Sequence, residues 1–549
     1  MKSLIITSAL PYANGEIHLG HIASTYLPAD IFARYWRHLG REVYHLCATD
    51  DFGTPILINA EKESITPQEY VKTWRASDLN DFESLDISFD YFSQTSSEEN
   101  IHLTQEIFNK LCKNGHIYEK DVVQFFCEFD KKFLPDRYVV GKCPYCSSEN
   151  QYSDLCENCG RVPDKILEPR CRICGNVPVK KTSTHYFFRL STFSRQLKDW
   201  LTTNHNLQSD VTSYVLKWID EGLVDWDITR DLSWGVPIPK AEARGQVFYG
   251  WFDNHICYIS SLLSLLKKSG NNSDGREFWN NSEIFHFIGK DIVYHHYLFL
   301  PAIRMGIRNE YKLPDYIPTR GHLMLNNRKI SKSRGWYIGL RDFLQLFPSD
   351  YLRFYLARVT PYSQTDTNFD WDVFIERINN ELIANIGNFI HRTLSFIKTT
   401  FDGSVPEPTV YDDVDLATIN RISGISDVVG TAIAKNEIEN AMREILEFSS
   451  SLNRYFQKKK PWEERHSAQN TLYVSANAVQ SLAILLEPFI PNSAERIWDQ
   501  LGLDNNVHNQ NWSRASRIDM SARHKIGEIQ PLFQKIERRK LDLDKWKVD

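Results

Sequence analysis

Two histidines three positions apart stand near the start of the chain, in the stretch "PYANGEIHLGH" that ends at His21. Upstream, "SLIITSAL" predicts a buried strand; downstream, apolar residues at helical spacing run to Gly40, in a helix that Pro28 should kink or split. His18 and His21 would then lie where a strand passes into a helix N-terminus, which attracts phosphate because its amide groups are free. Gly20 leaves room for a ligand. Two surface histidines beside a turn would explain this stretch equally well.

A second candidate for phosphate chemistry is the stretch "NNRKISKSRG", which carries Lys329 and Lys332. By itself, a stretch rich in lysine and serine is typical of a mobile surface turn. Lysines on such a loop can also clamp a phosphate chain and stabilise charge that develops only in the transition state. Its meaning therefore depends on the other motifs in the chain.

Six of the ten cysteines fall in three C-x2-C pairs. Two pairs follow the spacing C-x2-C-x9-C-x2-C, which can close a tetrahedron of thiolates around a structural Zn²⁺: Cys143, Cys146, Cys156 and Cys159. Because a carboxylate is also an acceptable zinc ligand, a second site can be assembled from the third pair and the upstream "CEFD": Cys127, Asp130, Cys171 and Cys174. An exposed aspartate with unliganded thiols explains that second set equally well.

The composition describes an ordinary globular protein: 549 residues, long enough for roughly three or four domains, with 42% hydrophobic and 24% charged residues. A formal net charge of −6 gives no global basic field, so nucleic acid would have to bind at local patches such as "KKKPW". No stretch reaches the roughly 18 apolar residues of a membrane span. The thiol pairs favour a reducing compartment, so we expect a cytoplasmic protein that contacts no membrane.

Alternating strand and helix patterns on both sides of a Cys-rich segment predict an α/β chain: a Rossmann-like, doubly wound nucleotide-binding domain interrupted by a zinc-binding connective module. We expect the first half over residues 1–115, the insertion over 116–225 and the second half over 226–327. A region over 328–375 begins with the lysine-rich loop. Long helical periods then predict a C-terminal α-helical bundle over 376–549.

"HLGH" followed by "KISKS" in a Rossmann-like chain resembles the paired signature motifs of class I aminoacyl-tRNA synthetases, with Ile330 at the position of a methionine. Within that class the chain resembles the methionyl-tRNA synthetases, in which "FLPDRYVVGKCPYC", "WDITRDLSWGVPIP" and "FIGKDIVYHH" recur in this order. The resemblance covers nearly the whole chain. It implies ATP-dependent attachment of L-methionine to its tRNA through methionyl-adenylate, with Mg²⁺ accompanying ATP, pyrophosphate and AMP released, and residues 328–375 contacting the tRNA stem.

The resemblance also implies roles for individual residues. The catalytic set would be His18, His21, Lys329, Lys332 and Arg230, and the ATP-binding set His18, Gly20, His21, Gly289, Asp291 and Lys332. The amino-acid-binding set would be Leu10, Tyr12, Asp50 (holding the α-amino group), Trp251, Asn254, His255, Tyr258, His295 and His296. In the bundle, an Asn to read a base edge, with an Arg plane and an aromatic ring for stacking, suit an anticodon reader: Asn388, Arg392 and Trp462. For Trp462 alone, a packed core residue would be the simpler interpretation.

Three of these residues, Asn254, His255 and His295, depart from the family pattern, which has apolar residues there. Burying a polar group without a partner costs about 1–3 kcal/mol, so they should hydrogen-bond one another or water, unless the pocket serves something other than methionine. Two alternatives stay open: a paralogue altered for a polar analogue or for inhibitor resistance, and a tRNA-binding protein without catalysis. Because the chain ends soon after the bundle, without the dimerisation domain of some relatives, we expect a monomer.

Overall fold

The computed structural model describes residues 2–153, 156, 158–159, 161, 163, 165–270, 274–331, 335–463, 465–541 and 543. At its centre is a five-stranded parallel sheet, in the order Thr319–Arg320, Glu283–Gly289, Leu4–Ser8, Val43–Thr49 and Tyr91–Gln94. The central strand Leu4–Ser8 is wholly buried. Its alternate residues enter two separate apolar cores, Leu4 and Ile6 in one and Ile5 in the other. The sheet is therefore covered on both faces, as a parallel sheet must be.

Two strands far apart in the sequence form the middle of this sheet. Leu4–Ser8 pairs in parallel with Glu283–Gly289, with Leu4 opposite Glu283 and Ser8 opposite Phe287. The chain between them thus leaves one fold and returns to it. The prediction of a doubly wound α/β domain interrupted by an insertion is confirmed, while the boundaries given above for its parts stay predictions.

The helix that follows the first strand is continuous but changes geometry. It contains the segment Leu19–His21, a π-helical turn Ile22–Tyr26 and the α-helix Leu27–His38. Pro28 stands at the junction of the π and α segments, where a residue without an amide hydrogen does least harm. It therefore divides the helix without ending it.

The other helices of the α/β domain pack around the sheet. The α-helices are Thr54–Glu63, Pro67–Ser84, Glu98–Lys113, Gly250–Asp253, Cys257–Lys268, Gly275–Asn281 and Leu300–Gly306. A second π turn covers His295–Phe299, and 3₁₀ turns cover Ala241–Ala243 and Lys290–Ile292. The helix Pro67–Ser84 begins with a capping box. The Thr66 side chain accepts a hydrogen bond from the Glu69 amide, and the Glu69 carboxylate accepts one from the Thr66 backbone N–H.

In its described residues, the insertion contains two small antiparallel sheets and two helices. One sheet has the order Trp226–Asp227, Val179–Phe188, Ile117–Cys127 and Lys132–Phe133; the other has the order Gln151–Tyr152, Val139–Lys142 and Leu167–Cys171. The helices are Ser194–Thr203 and Ser209–Glu221, with 3₁₀ turns at Asp136–Tyr138 and Leu190–Phe193. The pair Thr229–Arg230 and Val247–Phe248 then leads back to the main sheet.

The lysine-rich loop belongs to a small sheet in the order Arg328–Lys329, Leu323–Leu325 and Thr367–Phe369, with the helices Leu340–Leu346 and Ser349–Val359 beside it. From Trp371 to Gln500 the described chain is mainly helical, as predicted: Trp371–Arg377, a π-helical run Ile378–Gly387, Asn388–Thr400, Asp413–Ala434, Ile438–Lys459, Arg465–Leu486 and Pro491–Gln500. Three 3₁₀ turns follow, at Val507–Asn509, Trp512–Ser516 and Arg538–Lys540. The proposed boundary at 376 falls inside one helical run. Within the residues described, no helix combines the length and apolarity needed to cross a membrane.

Candidate active site

A cavity of about 330 Å³ opens where the carboxyl ends of the two central strands meet. In a doubly wound sheet this edge is where ligands bind, because loops and helix N-termini converge there. The cavity brings together eight of the residues predicted from the sequence, drawn from four separate segments: Leu10, Tyr12, His18, Gly20, His21, Gly289, Asp291 and Lys329. The two histidines therefore line a cavity and do not merely flank a surface turn.

The two histidines of "HLGH" form one unit. Their imidazole rings stack with centroids 3.6 Å apart, and the backbone N–H of His18 donates a hydrogen bond to Nδ1 of His21 at 3.3 Å. His18 is the N-cap of the helix that begins at Leu19, so both side chains stand at its positive end. This arrangement suits an anion such as a phosphate.

The lysine-rich loop lies directly beside that helix start. A Cβ on Gly20 would lie 3.2 Å from Cδ1 of Ile330 and 3.1 Å from the His18 ring, so a larger residue would have to push these side chains aside by a few tenths of an ångström. Backbone hydrogen bonds join the two segments again further along, from Leu19 to the carbonyl of Ile338 and from Leu340 to the carbonyl of Ile17. Lys329 reaches the cavity, whereas Lys332 lies outside the described residues.

Asp291 has a partner that the sequence reading missed. Nε2 of His322 lies 3.3 Å from Oδ1 of Asp291, and both residues line the cavity. Loss of hydration acts to raise the pKa of Asp291, but the hydrogen bond from His322 and the charge of Lys329 lower it below its usual value. The position of His322 could have suggested this role, because it follows the strand Thr319–Arg320 and so lies at the carboxyl edge of the sheet, where the cavity opens.

A second cavity of about 640 Å³ adjoins the first through Tyr12, which lines both. Its walls hold three more predicted residues, Asp50, Arg230 and Trp251. The Arg230 guanidinium lies over the Tyr249 ring, 4.2 Å from its centroid. It also donates a hydrogen bond to the carbonyl oxygen of Thr229 at 2.7 Å. The Asp50 carboxylate and the guanidiniums of Arg137 and Arg230 line one cavity, which matches the ammonium and carboxylate of a free amino acid.

Asp50 is held in an unusual electrostatic setting. Burial raises its pKa to about 7 and the neighbouring Asp51 adds to the shift, while hydrogen bonds from Asn254 and from the Phe52 backbone act in the opposite direction. Asp253 is fully buried close by, and burial raises its pKa well above the usual value, with Asp50 contributing. A bound cation, such as the ammonium of an amino acid, would relieve this concentration of acidic groups.

The other five residues of the predicted amino-acid-binding set lie behind Trp251 and line neither cavity: Asn254, His255, Tyr258, His295 and His296. Trp251 is 39% exposed and its ring centroid is 4.9 Å from that of His295. The four residues other than Asn254 are each at most 3% exposed. Their contact with an amino acid therefore stays a prediction.

Burial disfavours the charged form of the histidines near Trp251. Nδ1 of His296 faces the carbonyl of Ile292 at 3.1 Å, so Nε2 accepts a hydrogen bond from the Tyr258 hydroxyl at 3.0 Å. Burial lowers the pKa of His296 to about 4, and lowers the pKa of His255 and His295 well below the usual range. These histidines therefore add little positive charge to the region, in which Arg304 is the nearby cation.

The first set of four cysteines converges as its spacing predicts. The sulfur atoms of Cys143, Cys146, Cys156 and Cys159 all lie within 4.8 Å of one another. Cys143 and Cys159 are 3.8 Å apart, Cys146 and Cys156 3.6 Å. The Cys159 amide points at the sulfur of Cys156 from 3.4 Å, as in a metal-binding knuckle. These ligands fit one tetrahedral metal ion.

The second set converges as well, on the aspartate that the sequence left uncertain. Oδ2 of Asp130 lies 3.0 Å from the sulfur of Cys127 and 3.1 Å from that of Cys171, and Cys174 lies 3.4 Å from Cys127. All four ligand atoms are within 4.8 Å of one another. Asp130 is thus directed into the cluster and is not an idle surface residue, so these four residues also fit a metal ion.

The predicted anticodon residues lie on one surface of the bundle. The Arg392 guanidinium lies over the rings of Phe456 and Trp462, at 4.8 and 5.7 Å from their centroids, and the Asn388 amide donates to Oδ1 of Asn453 at 3.3 Å. Trp462 is 42% exposed, so the interpretation as a packed core residue is wrong. An exposed tryptophan held by an arginine offers a stacking platform for an unpaired base.

Comparison with known proteins agrees with this architecture. Residues 4–394 match a family model described as "tRNA synthetases class I (M)", and residues 415–544 match "Anticodon-binding domain of tRNA ligase". The chain is 41% identical to the methionine–tRNA ligase of Methanopyrus kandleri, covering 100% of this chain and 82% of the relative. It is 41% identical to that of Thermococcus kodakarensis, covering 98% and 74%.

A solved structure shares the fold. The crystal structure of Mycobacterium tuberculosis methionyl-tRNA synthetase bound by methionyl-adenylate superposes with a TM-score of 0.80 at 23% identity, covering 97% of this chain and 100% of that one. The family matches and the relatives at 41% identity show the family of the chain, and this shared fold agrees with them. The chain belongs to the methionyl-tRNA synthetase family.

Proposed function

We propose that this chain joins L-methionine to its tRNA in two steps. In the first, a carboxylate oxygen of methionine attacks the α-phosphorus of ATP, forming methionyl-adenylate and expelling pyrophosphate. In the second, a ribose hydroxyl at the tRNA 3′ end attacks the adenylate carbonyl and AMP leaves. The observation that carries the proposal is the pair of adjoining cavities, one lined by His18, His21 and Lys329 and the other by Asp50 and Arg230.

Each residue has a role that follows from its charge and position. Asp50 would hold the methionine ammonium, and Arg230 would face its carboxylate and the α-phosphate. His18 and His21, at a helix N-terminus, would hold the phosphates from one side. Lys329, with Lys332 as the predicted second lysine, would stabilise the departing pyrophosphate from the other. Catalysis of this kind consists mainly of positioning and electrostatic stabilisation.

The nucleoside would lie against Gly289 and Asp291. A Cβ on Gly289 would come within 2.6 Å of Oδ1 of Asp291, so glycine keeps the backbone open there. His322 would hold the Asp291 carboxylate in place from 3.3 Å. Mg²⁺ would accompany ATP and neutralise part of the phosphate charge.

The other parts of the chain would serve binding and structure. The two cysteine-rich sets would each hold a Zn²⁺ ion, which stabilises the insertion and takes no part in the reaction. Asn388, Arg392 and Trp462 would read the anticodon, and residues 328–375 would contact the tRNA stem. We further propose that the protein acts in the cytoplasm, where tRNA and reduced thiols are found.

Amino-acid-dependent exchange of pyrophosphate into ATP tests the proposal directly. We expect exchange with methionine and not with other amino acids of a full panel, and a loss of at least a hundredfold in the rate for His21→Ala, with little change in thermal unfolding. His205→Ala, at an exposed loop position in the insertion, is the matched control and should leave exchange unchanged. Exchange with a polar analogue in preference to methionine, or near-normal exchange in His21→Ala, would contradict the proposal.

A further inference from the structure

A buried histidine of the insertion contacts the segment that carries Arg230. His185 lies on the strand Val179–Phe188 and is 1% exposed. Its Nδ1 lies 2.6 Å from Oδ2 of Asp227, and its Nε2 lies 2.9 Å from Oδ2 of Asp231. One ring thus bridges two carboxylates that stand three residues before and one residue after Arg230.

The electrostatics of this contact favour a charged ring. Both nitrogens of an imidazolium donate hydrogen bonds, whereas neutral imidazole can donate from only one. Burial acts to lower the pKa of His185, but the hydrogen bonds and charges of Asp227 and Asp231 raise it to about 9. A positive charge enclosed with two carboxylates therefore ties this segment to the insertion.

Further contacts hold the same segment from two strands of the insertion. The side-chain amide of Gln124 donates a hydrogen bond to Oδ2 of Asp231 at 2.7 Å, and Ser183 donates to Oδ1 of Asp231 at 3.1 Å. On the other side, Nη1 of Arg230 is 3.5 Å from Oδ2 of Asp227 and 3.3 Å from its carbonyl oxygen. Asp227 thus contacts both residues: His185, which lies in the insertion, and Arg230, which lines the cavity.

We propose that His185 is a positioning residue for amino acid activation: it clamps Asp227 and Asp231 and so holds the Arg230 guanidinium at the cavity wall. The inference rests on the proposed function. It makes the insertion part of the activation machinery, in addition to its predicted metal sites. His185 itself touches no substrate, because its ring is enclosed between the insertion and the Arg230 segment.

A double-mutant cycle tests the clamp. We expect His185→Ala to lower kcat of methionine-dependent pyrophosphate exchange tenfold or more, with a smaller change in KM for ATP. In the Arg230→Ala background the same change should have almost no further effect, because the guanidinium that it positions is already absent. His185→Gln keeps one side-chain donor and should retain more activity than His185→Ala; it also carries the test if the alanine variant unfolds.

The controls separate the possible failures. His205→Ala, an exposed histidine in the same insertion, should leave kcat unchanged. Equal losses from His185→Ala with and without Arg230 would show a general structural effect and overturn the clamp, as would unchanged kcat in His185→Ala. A wild type that exchanges no pyrophosphate would overturn the proposed function and the clamp with it, whereas an active wild type with additive losses overturns the clamp alone.

Discussion

Nε2 of His295 lies 3.2 Å from Oδ1 of Asn254, so two residues that are polar where the family is apolar hydrogen-bond each other. His255, the third such residue, instead directs Nδ1 at the carbonyl of Trp251, 3.1 Å away. Burying polar groups that hydrogen-bond to one another costs much less free energy than burying unpaired ones. The pairing reduces the reason to expect a substrate other than methionine, while Nε2 of His255 is buried without a hydrogen-bond partner among the described residues.

The first prediction concerns this pair. His295→Phe alone should raise KM for methionine and lower the free energy of unfolding by about 1–3 kcal/mol, because Asn254 loses its hydrogen-bond donor. Asn254→Ala added to His295→Phe should recover part of the lost unfolding free energy by removing the unpaired Oδ1, while KM stays raised because Asp50 loses its hydrogen bond from Asn254. Pyrophosphate exchange and urea unfolding of the two single variants and the double variant measure the coupling. Additive losses would contradict a direct interaction.

The second prediction concerns the pH dependence of binding. Asp50 must be ionised to pair with an ammonium, and burial and Asp51 raise its pKa to about 7 in the free protein. The value of kcat/KM for methionine should therefore rise as the pH rises through about 7. Asp50→Asn should lower kcat/KM at pH 8 and abolish this dependence. A flat profile for the wild type between pH 6 and pH 8 would contradict it.

The same shift predicts an effect on stability. Because the pKa of Asp50 is higher in the folded protein than in the unfolded chain, its contribution to stability is fully present below about pH 4 and is lost as the pH rises through 7. At pH 8, Asp50→Asn should thus be more stable than the wild type by roughly 1–4 kcal/mol in urea unfolding, and the difference should shrink at pH 4. Asp402→Asn, whose side chain is 98% exposed, is the matched control and should change neither value.

The third prediction concerns metal content. Purified wild type should contain two zinc ions per chain by elemental analysis. Asp130→Ala and Cys156→Ser should each remove one, because each removes a ligand from a different cluster. Cys112→Ser, a half-buried thiol outside both clusters, should leave the content unchanged. One ion in both the wild type and Asp130→Ala would show that the second set binds no metal.

The fourth prediction separates tRNA recognition from chemistry. Trp462→Ala should lower kcat/KM for charging of methionine tRNA at least tenfold, since stacking of one base on an aromatic ring contributes about 1–3 kcal/mol. Pyrophosphate exchange without tRNA should stay unchanged, because the cavities lie in the α/β domain. Leu416→Ala, at a 46% exposed position on the same bundle, is the control. Equal losses in both assays would mean that Trp462 stabilises the protein as a whole.

Features set by short-range spacing could be predicted from the sequence. The cysteine pairs predicted one ligand set and left a second as one of two equal interpretations, and the histidine pair predicted a helix N-terminus, because backbone geometry limits where residues a few positions apart can point. The alternating strand and helix patterns likewise predicted the interrupted α/β domain and the helical bundle. The resemblance to a known family, and not the local pattern, suggested the roles predicted for residues such as Asp50 and Arg230.

Features that depend on contacts between distant segments were decided only by the tertiary structure. Nothing in the local pattern showed that His322 would meet Asp291, that His185 would bridge Asp227 and Asp231, or that Trp462 would be exposed. A side chain's partners and burial depend on which elements pack against it, and an apolar or polar residue type alone does not specify those neighbours. For the same reason, the sequence could place Asn254 and His295 near the amino-acid site, but only packing made them partners.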